Sequence, residues 1–105
     1  MLVEINTDNR IEGKERVNTY FEETLRNALQ RYEDRITRLE VMLGEENNGK
    51  GADHDIRCML EARIAGIKPI AVVHHADTIE KAVSGATDRL KHSLEHTFGK
   101  LASHH

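Results

Sequence analysis

Histidine is the residue type in this chain with the widest chemical repertoire, because imidazole binds metal ions and changes charge near neutral pH. The sequence holds seven histidines among 105 residues. Three of them, His54, His74 and His75, lie in or beside predicted strands, where they could converge on one ion. Adjacent residues of a strand point to opposite faces, so His74 and His75 cannot both ligate one metal without a bulge. The spacing therefore favours solvent-facing or hydrogen-bonded histidines, and we expect no metal site.

Other signatures of catalysis are missing from the sequence. There is no glycine loop of the kind that holds phosphates, no cysteine pair, no serine nucleophile turn and no zinc-protease helix. The one cysteine, Cys58, lies in an alternating segment where a small buried hydrophobe is expected. We therefore expect neither enzymatic turnover nor a cofactor or small-molecule substrate. Only the histidine count keeps an enzyme or a metal-binding domain open as an alternative.

A row of basic residues on the predicted C-terminal helix is a more informative pattern. At about 100° per residue, four side chains fall along one flank of this helix together with Gly85. They form the basic flank: Arg89, His92, His96 and Lys100. Arg16 and Arg26 lie near the outward side of the N-terminal helix, whereas Lys91 points away from the basic flank. Cationic groups in a row suit phosphates, although such a stripe is also common on an ordinary solvated face.

These residues are positioned by six predicted elements in the order β-α-β-β-β-α. Alternating polarity predicts strands over residues 2–6, 36–43, about 54–63 and 68–75, and helical spacing of apolar residues predicts helices over 14–32 and 77–99. Asp77, with Glu80 three residues later, is typical of a helix cap, and Gly99 is typical of a helix end. The pattern predicts an α+β two-layer sandwich, in which a four-stranded sheet carries both helices on one face.

Length and composition favour one domain over residues 1–101, followed by a short tail over 102–105. The core is predicted to be aliphatic around four aromatic residues, namely Tyr20, Phe21, Tyr32 and Phe98. The segment over residues 44–55 is predicted to be a mobile loop, and it carries a charge of −3, which equals the net charge of the whole chain. The acidity of the protein is therefore local.

The chain shows no sign of export or of membrane insertion. Its first residues lack a basic segment followed by an apolar one, and no run of about 18 apolar residues occurs anywhere. We expect a cytoplasmic protein with no membrane partner. An exposed edge strand could join two copies into a homodimer.

Four stretches give the chain a resemblance to the ribosome hibernation-promoting factor family, which includes the cold-shock ribosome-associated inhibitor proteins. They are LVEIN, YEDRITRLEVML, HDIRCMLEAR and AVSGATDRLKHSLEHTFGKL, and the last contains the pattern D-R-L-x-x-x-L. The resemblance covers nearly all of residues 1–101. It is to the short form of the family, without the C-terminal dimerisation domain of the longer relatives.

This resemblance implies a stress-response protein that is not an enzyme, binds small-subunit rRNA in the decoding region and occludes tRNA and mRNA. The implied rRNA contacts are Arg89, His92, His96, Lys100, Arg16 and Arg26. Two residues of the basic flank are histidines where lysine or arginine is usual, so its positive charge is weaker near neutral pH. The alternative is a protein–protein interaction module of the same fold that has lost rRNA binding.

Overall fold

The computed structural model describes residues 1–8, 14–46 and 55–102. Its elements follow the predicted order: β1 (Leu2–Thr7), α1 (Lys14–Ala28), a 3-10 turn (Gln30–Tyr32), β2 (Ile36–Glu46), β3 (Asp55–Ile64), β4 (Ile70–Ala76) and α2 (Ile79–Ala102). The α+β class and the arrangement of two helices on a four-stranded sheet are confirmed. Neither helix in the described ranges combines the length and apolarity needed to span a membrane.

The sheet has the strand order β1-β2-β3-β4, with β1 parallel to β2 and the other two pairs antiparallel. Two parallel strands cannot be joined by a tight hairpin, so α1 forms the crossover between β1 and β2. Since β1 and β4 point the same way and each is followed by a helix that returns along the sheet, α1 and α2 run parallel to each other. The edges of the sheet are β1 and β4.

The core lies between the helices and one face of the sheet. Alternate residues of β2 and β3 are almost fully buried there, as the sequence predicts: Leu39, Val41, Leu43, Ile56, Cys58, Leu60 and Ala62. The helices contribute Phe21, Leu25, Leu29, Ala82, Val83, Ala86, Leu90 and Leu94. Burying one large aliphatic side chain stabilises the fold by about 1.5–3 kcal/mol, so this layer is the main source of stability.

The first helix is shorter than predicted. The Leu29 amide still donates to the Leu25 carbonyl, but the Tyr32 amide donates to Leu29, three residues back instead of four. This tighter 3-10 turn accompanies the burial of Tyr32, whose ring stacks on Phe98 of α2 at 5.4 Å between centroids. Tyr32 was predicted to lie in the last turn of α1, but it lies in a 3-10 turn that follows this helix.

Both predicted limits of the second helix are wrong. Thr78 caps the helix, because its Oγ1 accepts from the Lys81 amide at 3.1 Å, while Asp77 forms an ion pair with the Lys81 ammonium at 3.2 Å. At the other end the helix continues through Gly99 to Ala102. A glycine cap needs positive φ, and Gly66, with φ 84°, is the only described glycine that has it.

The hairpin arms between β2 and β3 are longer than predicted. Residues 44–46 and 55 belong to strands and not to a loop, because the β2–β3 ladder continues to the pair Glu46 and Asp55. The predicted mobility of the remaining part, residues 47–54, lies outside the described residues. At the start of β4, Pro69 precedes the strand, which begins at Ile70.

Cys58 is expected to be chemically inert in the native protein. It is fully buried, and burial raises the pKa of its thiol to about 12, because the apolar surroundings disfavour the thiolate. A thiol reagent at pH about 8 should therefore label it only at the rate at which the protein opens. Mass spectrometry measures the labelling. Fast, stoichiometric labelling of the native protein would contradict the register of β3 that buries Cys58.

Candidate nucleic-acid interface

The basic flank lies on the side of α2 that faces the edge strand β4. All four of its side chains are exposed. Arg89 and His92 line an open hollow together with Asp88 and Ser93 of α2 and with residues 71–73 of β4. From Arg89 to Lys100 the helix rises about 16 Å, so the flank is a continuous row along the rim of the sheet. The structure thus brings these four residues together, as the sequence predicts.

His92 is oriented by a hydrogen bond within its own helix. Its Nδ1 lies 3.0 Å from the carbonyl oxygen of Asp88, and a carbonyl can only accept. Nδ1 is therefore the protonated nitrogen, and Nε2 of the neutral ring is an acceptor that has nothing to donate to a phosphate. Protonation turns Nε2 into a donor and gives the ring a positive charge. His92 fits a phosphate only in its charged form.

A close contact between α2 and β4 positions the flank. The imidazole of His74 packs directly over Gly85, and a Cβ at position 85 would overlap this ring. His74 lies opposite Cys58 in the β3–β4 ladder, on the helix side of the sheet. Glycine thus allows α2 to approach the edge strand closely, which places Arg89 and His92 beside Val73.

The histidines do not gather into a metal centre in the described part of the chain. His75 points to the opposite face from His74 and pairs with Asp55 at 3.2 Å. Within the described ranges no three side chains of the metal-ligating types lie close together. His54, His104 and His105 lie outside the described residues.

The two arginines of α1 lie apart from the basic flank. Arg16 is exposed and lines a hollow between the first turns of the helices with Ile79 and Glu80. Arg26 is half-buried and ion-paired with Glu22 at 3.2 Å. Its Nη1 also donates to the Met1 carbonyl at 2.9 Å and lies 3.9 Å from Glu33. Arg26 therefore ties the end of α1 to the start of β1.

The groove between the helices has mixed charge. Glu80, Asp88 and Lys91 line it together with Tyr20, whose ring was predicted to be in the core. That prediction is wrong, because Tyr20 is 59% exposed and contacts Phe21 edge to face at 4.9 Å. The helical stripe passes through Phe21 instead, and Tyr20 lies at the edge of the stripe, on the groove between the helices.

Two cationic residues near the end of α2 were missed by sequence reasoning. The Arg35 guanidinium lies 4.2 Å from the centre of the Phe98 ring, and that of Arg31 lies 5.7 Å from the Tyr32 ring. Both arginines are exposed, beside the Tyr32–Phe98 stack that joins the 3-10 turn to α2. Their sequence signal was weak, because that stack joins residues far apart in the chain.

Family membership is decided by a match over almost the whole chain. Residues 3–102 match the family described as Sigma 54 modulation protein / S30EA ribosomal protein. The chain belongs to this family. The resemblance to the ribosome hibernation-promoting factors is thereby confirmed, and the family is ribosome-associated.

Solved structures agree with this S30EA family fold. The N-terminal domain of Protein Y from Thermus thermophilus is 18% identical, with a TM-score of 0.72 over 92% of this chain and 99% of that one. A ribosomal subunit interface protein from Coxiella burnetii is 15% identical, with a TM-score of 0.69 over 94% and 99%. These identities are low, so the two structures support the fold alone. No curated protein matches the chain significantly.

Replacing Gly85 with Ala in this S30EA-family domain should destabilise it by about 1 kcal/mol or more. Overpacking costs about 1–3 kcal/mol, which exceeds the gain of up to about 1 kcal/mol in helix propensity. Gly99→Ala is the matched control, because nothing lies within 4 Å of a Cβ there, and it should stabilise. Denaturant unfolding measures both variants. Adding His74→Ala to Gly85→Ala should restore part of the lost free energy of unfolding. If it does not, overlap with the His74 ring is not the cause of the destabilisation.

Proposed function

We propose that this protein is a ribosome hibernation factor of the cytoplasm, which binds small-subunit rRNA in the decoding region and excludes tRNA and mRNA by steric occlusion. The proposal needs no cofactor and no catalytic turnover. The observation that carries it is the exposed basic flank of α2 on a domain of a ribosome-associated family. Arg89 and Lys100 supply fixed charge, and His92 and His96 supply charge that depends on pH.

Local charge supports rRNA binding although the net charge is −3. Phosphate contacts release counterions from the nucleic acid, and this gain depends on the cations at the interface and not on distant carboxylates beyond a Debye length of about 8–10 Å. The predicted acidic segment over residues 44–55 includes the ends of the two central strands β2 and β3, whereas the basic flank lies along α2, beside the edge strand β4. The basic flank can therefore contact rRNA without the acidic segment lying on the same rRNA surface.

The helix-one arginines have different roles in this proposal. Arg16 is exposed near the first turn of α2 and is available for a phosphate. Arg26 would have to leave two carboxylates and the Met1 carbonyl to reach rRNA, so its contact with rRNA would be the weaker one. Arg31 and Arg35 are exposed cations beside the Tyr32–Phe98 stack, apart from the basic flank.

A protein–protein module is the second candidate, and the groove between the helices favours it. Glu80, Asp88 and Lys91 of α2 line this groove opposite α1, which contributes the exposed ring of Tyr20. A mixed-charge groove with an exposed aromatic is suited to a polypeptide and not to phosphate. Sedimentation of lysate distinguishes the two candidates, because only the first predicts cofractionation with small subunits that is lost with added salt.

Replacing Arg89 and Lys100 with Ala should weaken binding to purified small subunits by at least about tenfold at low salt. The loss of two phosphate contacts should also reduce the slope of log K against log salt by about 1.5. Neither side chain is in the core, so the thermal midpoint should hardly change. Lys91→Ala is the control for Arg89→Ala alone, since it removes one charge from the same helix away from the flank. Equal binding by the parent and the double variant at matched salt would refute the rRNA interface.

Binding to small subunits should strengthen as the pH falls from about 7.5 to 6, because two of the four residues of the basic flank are histidines. Bound phosphate favours the protonated ring, so affinity is gained on the acid side and lost as pH rises. The charged residues of α2 around His92 and His96 are Asp88, Arg89, Glu95 and Lys100, while β4 presents the imidazole of His74 over Gly85 and the uncharged Ala71, Val72 and Val73 in the hollow.

The measurement is a binding titration with the parent and with His92→Gln combined with His96→Gln. The double variant should bind small subunits with an affinity that hardly depends on pH in this range. His75→Gln serves as the control on the opposite face of the sheet and should keep the full pH dependence. If the pH dependence persists in the double variant, it arises from groups other than His92 and His96.

A further inference from the structure

The outer side of the edge strand β4 has no neighbouring strand in the described part of the chain, where β4 pairs only with β3. In an antiparallel pair, alternate residues of the edge strand point their amide and carbonyl groups away from the partner strand. The outer side of β4 therefore presents a row of backbone donors and acceptors without a strand partner. Such an edge is a template for a further strand.

The sequence of β4 lacks the features that usually protect an edge strand, which are lysine, proline and bulges. Neither a lysine nor a proline occurs between Ile70 and Ala76, and the β3–β4 register continues along this strand without a shift. Pro69 lies just before the strand and interrupts none of it. The edge of β4 is therefore able to accept a partner strand along its whole length.

The second helix covers β4 only in part. Val72 lies opposite Leu60, and His74 lies opposite Cys58, in the β3–β4 ladder. Leu60 and Cys58 are fully buried under the helices, whereas Val72 and His74 on the same face are only half-buried. The helix layer thus ends over β4 and leaves the open hollow beside the basic flank. A strand added to β4 would extend the floor of this hollow.

The basic flank runs along the position of such an added strand. Gly85 is packed against His74, and Arg89 and His92 lie beside residues 71–73, so α2 runs antiparallel to β4. Arg89 and His92 are about 4.5 Å apart along the helix axis, and alternate residues of a strand are about 7 Å apart. Two acidic side chains at alternate positions, on the helix side of the added strand, would thus lie within reach of these two residues.

The charges around this edge are mainly positive. Arg89 is exposed and forms no ion pair with any described residue. Lys68 is exposed in the turn before β4, about 20 Å of extended chain from His74, which places it level with the end of the basic flank. Asp88 also lines the hollow, but it lines the groove towards α1 as well, so it lies at the boundary of the hollow. A ligand that complements this edge is therefore acidic.

We propose that β4 and the basic flank form a docking site for an extended acidic segment of another protein, which adds to the four-stranded sheet as a further strand. The backbone of this segment pairs with the outer groups of β4, and carboxylates at alternate positions contact Arg89 and His92. The side chains between them lie on the opposite face of the sheet, beside Val73, where uncharged residues fit. Main-chain hydrogen bonds then supply affinity, and the basic flank selects the acidic sequence.

Two other occupants fit this edge less well. Antiparallel pairing of β4 with β4 of a second copy would bring two basic flanks side by side, and like charges across an interface cost free energy. RNA supplies phosphates for Arg89 and His92, but it has no regular row of backbone amides and carbonyls to pair with an edge strand. The edge thus favours a polypeptide, and the flank favours an acidic one.

The docking site shares residues with the proposed rRNA interface. An acidic strand bound at β4 would occupy Arg89 and His92, so it would compete with rRNA for the basic flank; this consequence rests on the proposed function. The docking itself does not, because it is measured with the isolated protein and a peptide. Failure of peptide binding and failure of ribosome binding are therefore separate results.

The test uses the intact protein and a capped synthetic peptide, slightly longer than β4, in which threonine and glutamate alternate. An NMR titration at about 0.1 M salt should show saturable binding, and Arg89→Glu should weaken it by about tenfold or more. Lys91→Glu is the matched control, because it makes the same change of charge on the same helix away from the flank. Salt screens charges beyond a Debye length of about 10 Å, so this control should weaken binding by less than about threefold.

Hydrogen exchange shows whether the peptide adds as a strand. The alternate amides of β4 that point away from β3 should exchange at least about tenfold more slowly with the peptide bound. The amides of β1, at the other edge of the sheet, should be unaffected. A peptide with proline in place of each threonine keeps the charge but lacks half of the N–H donors, so it should neither bind with the same affinity nor protect β4.

Several results would overturn the inference. They are an absence of binding at peptide concentrations above about 1 mM, equal binding of the proline peptide, and unchanged exchange of the β4 amides in the complex. Protection of those amides by a short single-stranded RNA would assign the edge to nucleic acid instead. Protection that appears in the protein alone and increases with its concentration would assign the edge to a second copy.

Discussion

The two helices bury their apolar stripes on the sheet face that carries Leu39, Val41, Cys58 and Leu60, and the positions of the polar surfaces follow from that contact. A four-stranded sheet has only two faces, and the helices use one completely. The outward residues of every strand are then left on a second face without a covering layer. The sides of the helices that do not contact the sheet are exposed to solvent, and they border the edges of the domain.

The close approach of α2 to β4 determines which surface each exposed side of α2 borders. The His74 ring over Gly85 brings the helix beside the edge strand, so one flank of α2 continues the edge of the sheet and the other borders the groove towards α1. Positive charge is concentrated on the first of these surfaces. The groove carries both signs of charge, because Glu80 and Asp88 turn towards α1 together with Lys91.

Position matters more than total charge in this molecule. A net charge of −3 is poorly suited to binding nucleic acid, yet the basic flank and the open sheet face, which no helix covers, each have an ordered pattern that the total does not reveal. On the open face, carboxylates and arginines alternate in rows across strands that are distant in sequence.

The sequence by itself determined the order of elements, the buried faces of β2 and β3 and the basic flank of α2, because these depend on periodicities of 2.0 and 3.6 residues within single segments. It also determined the burial of Cys58. Tertiary structure decided the exposure of Tyr20, the hydrogen bond from Arg26 to the Met1 carbonyl, and the rows across the open face. Each of these depends on contacts or strand register between segments far apart in the chain. Both ends of α2 were also missed. At the start, either Asp77 or Thr78 could cap the helix, and the structure uses Thr78. At the other end, the helix continues past Gly99, and Phe98 in its last turns stacks on Tyr32.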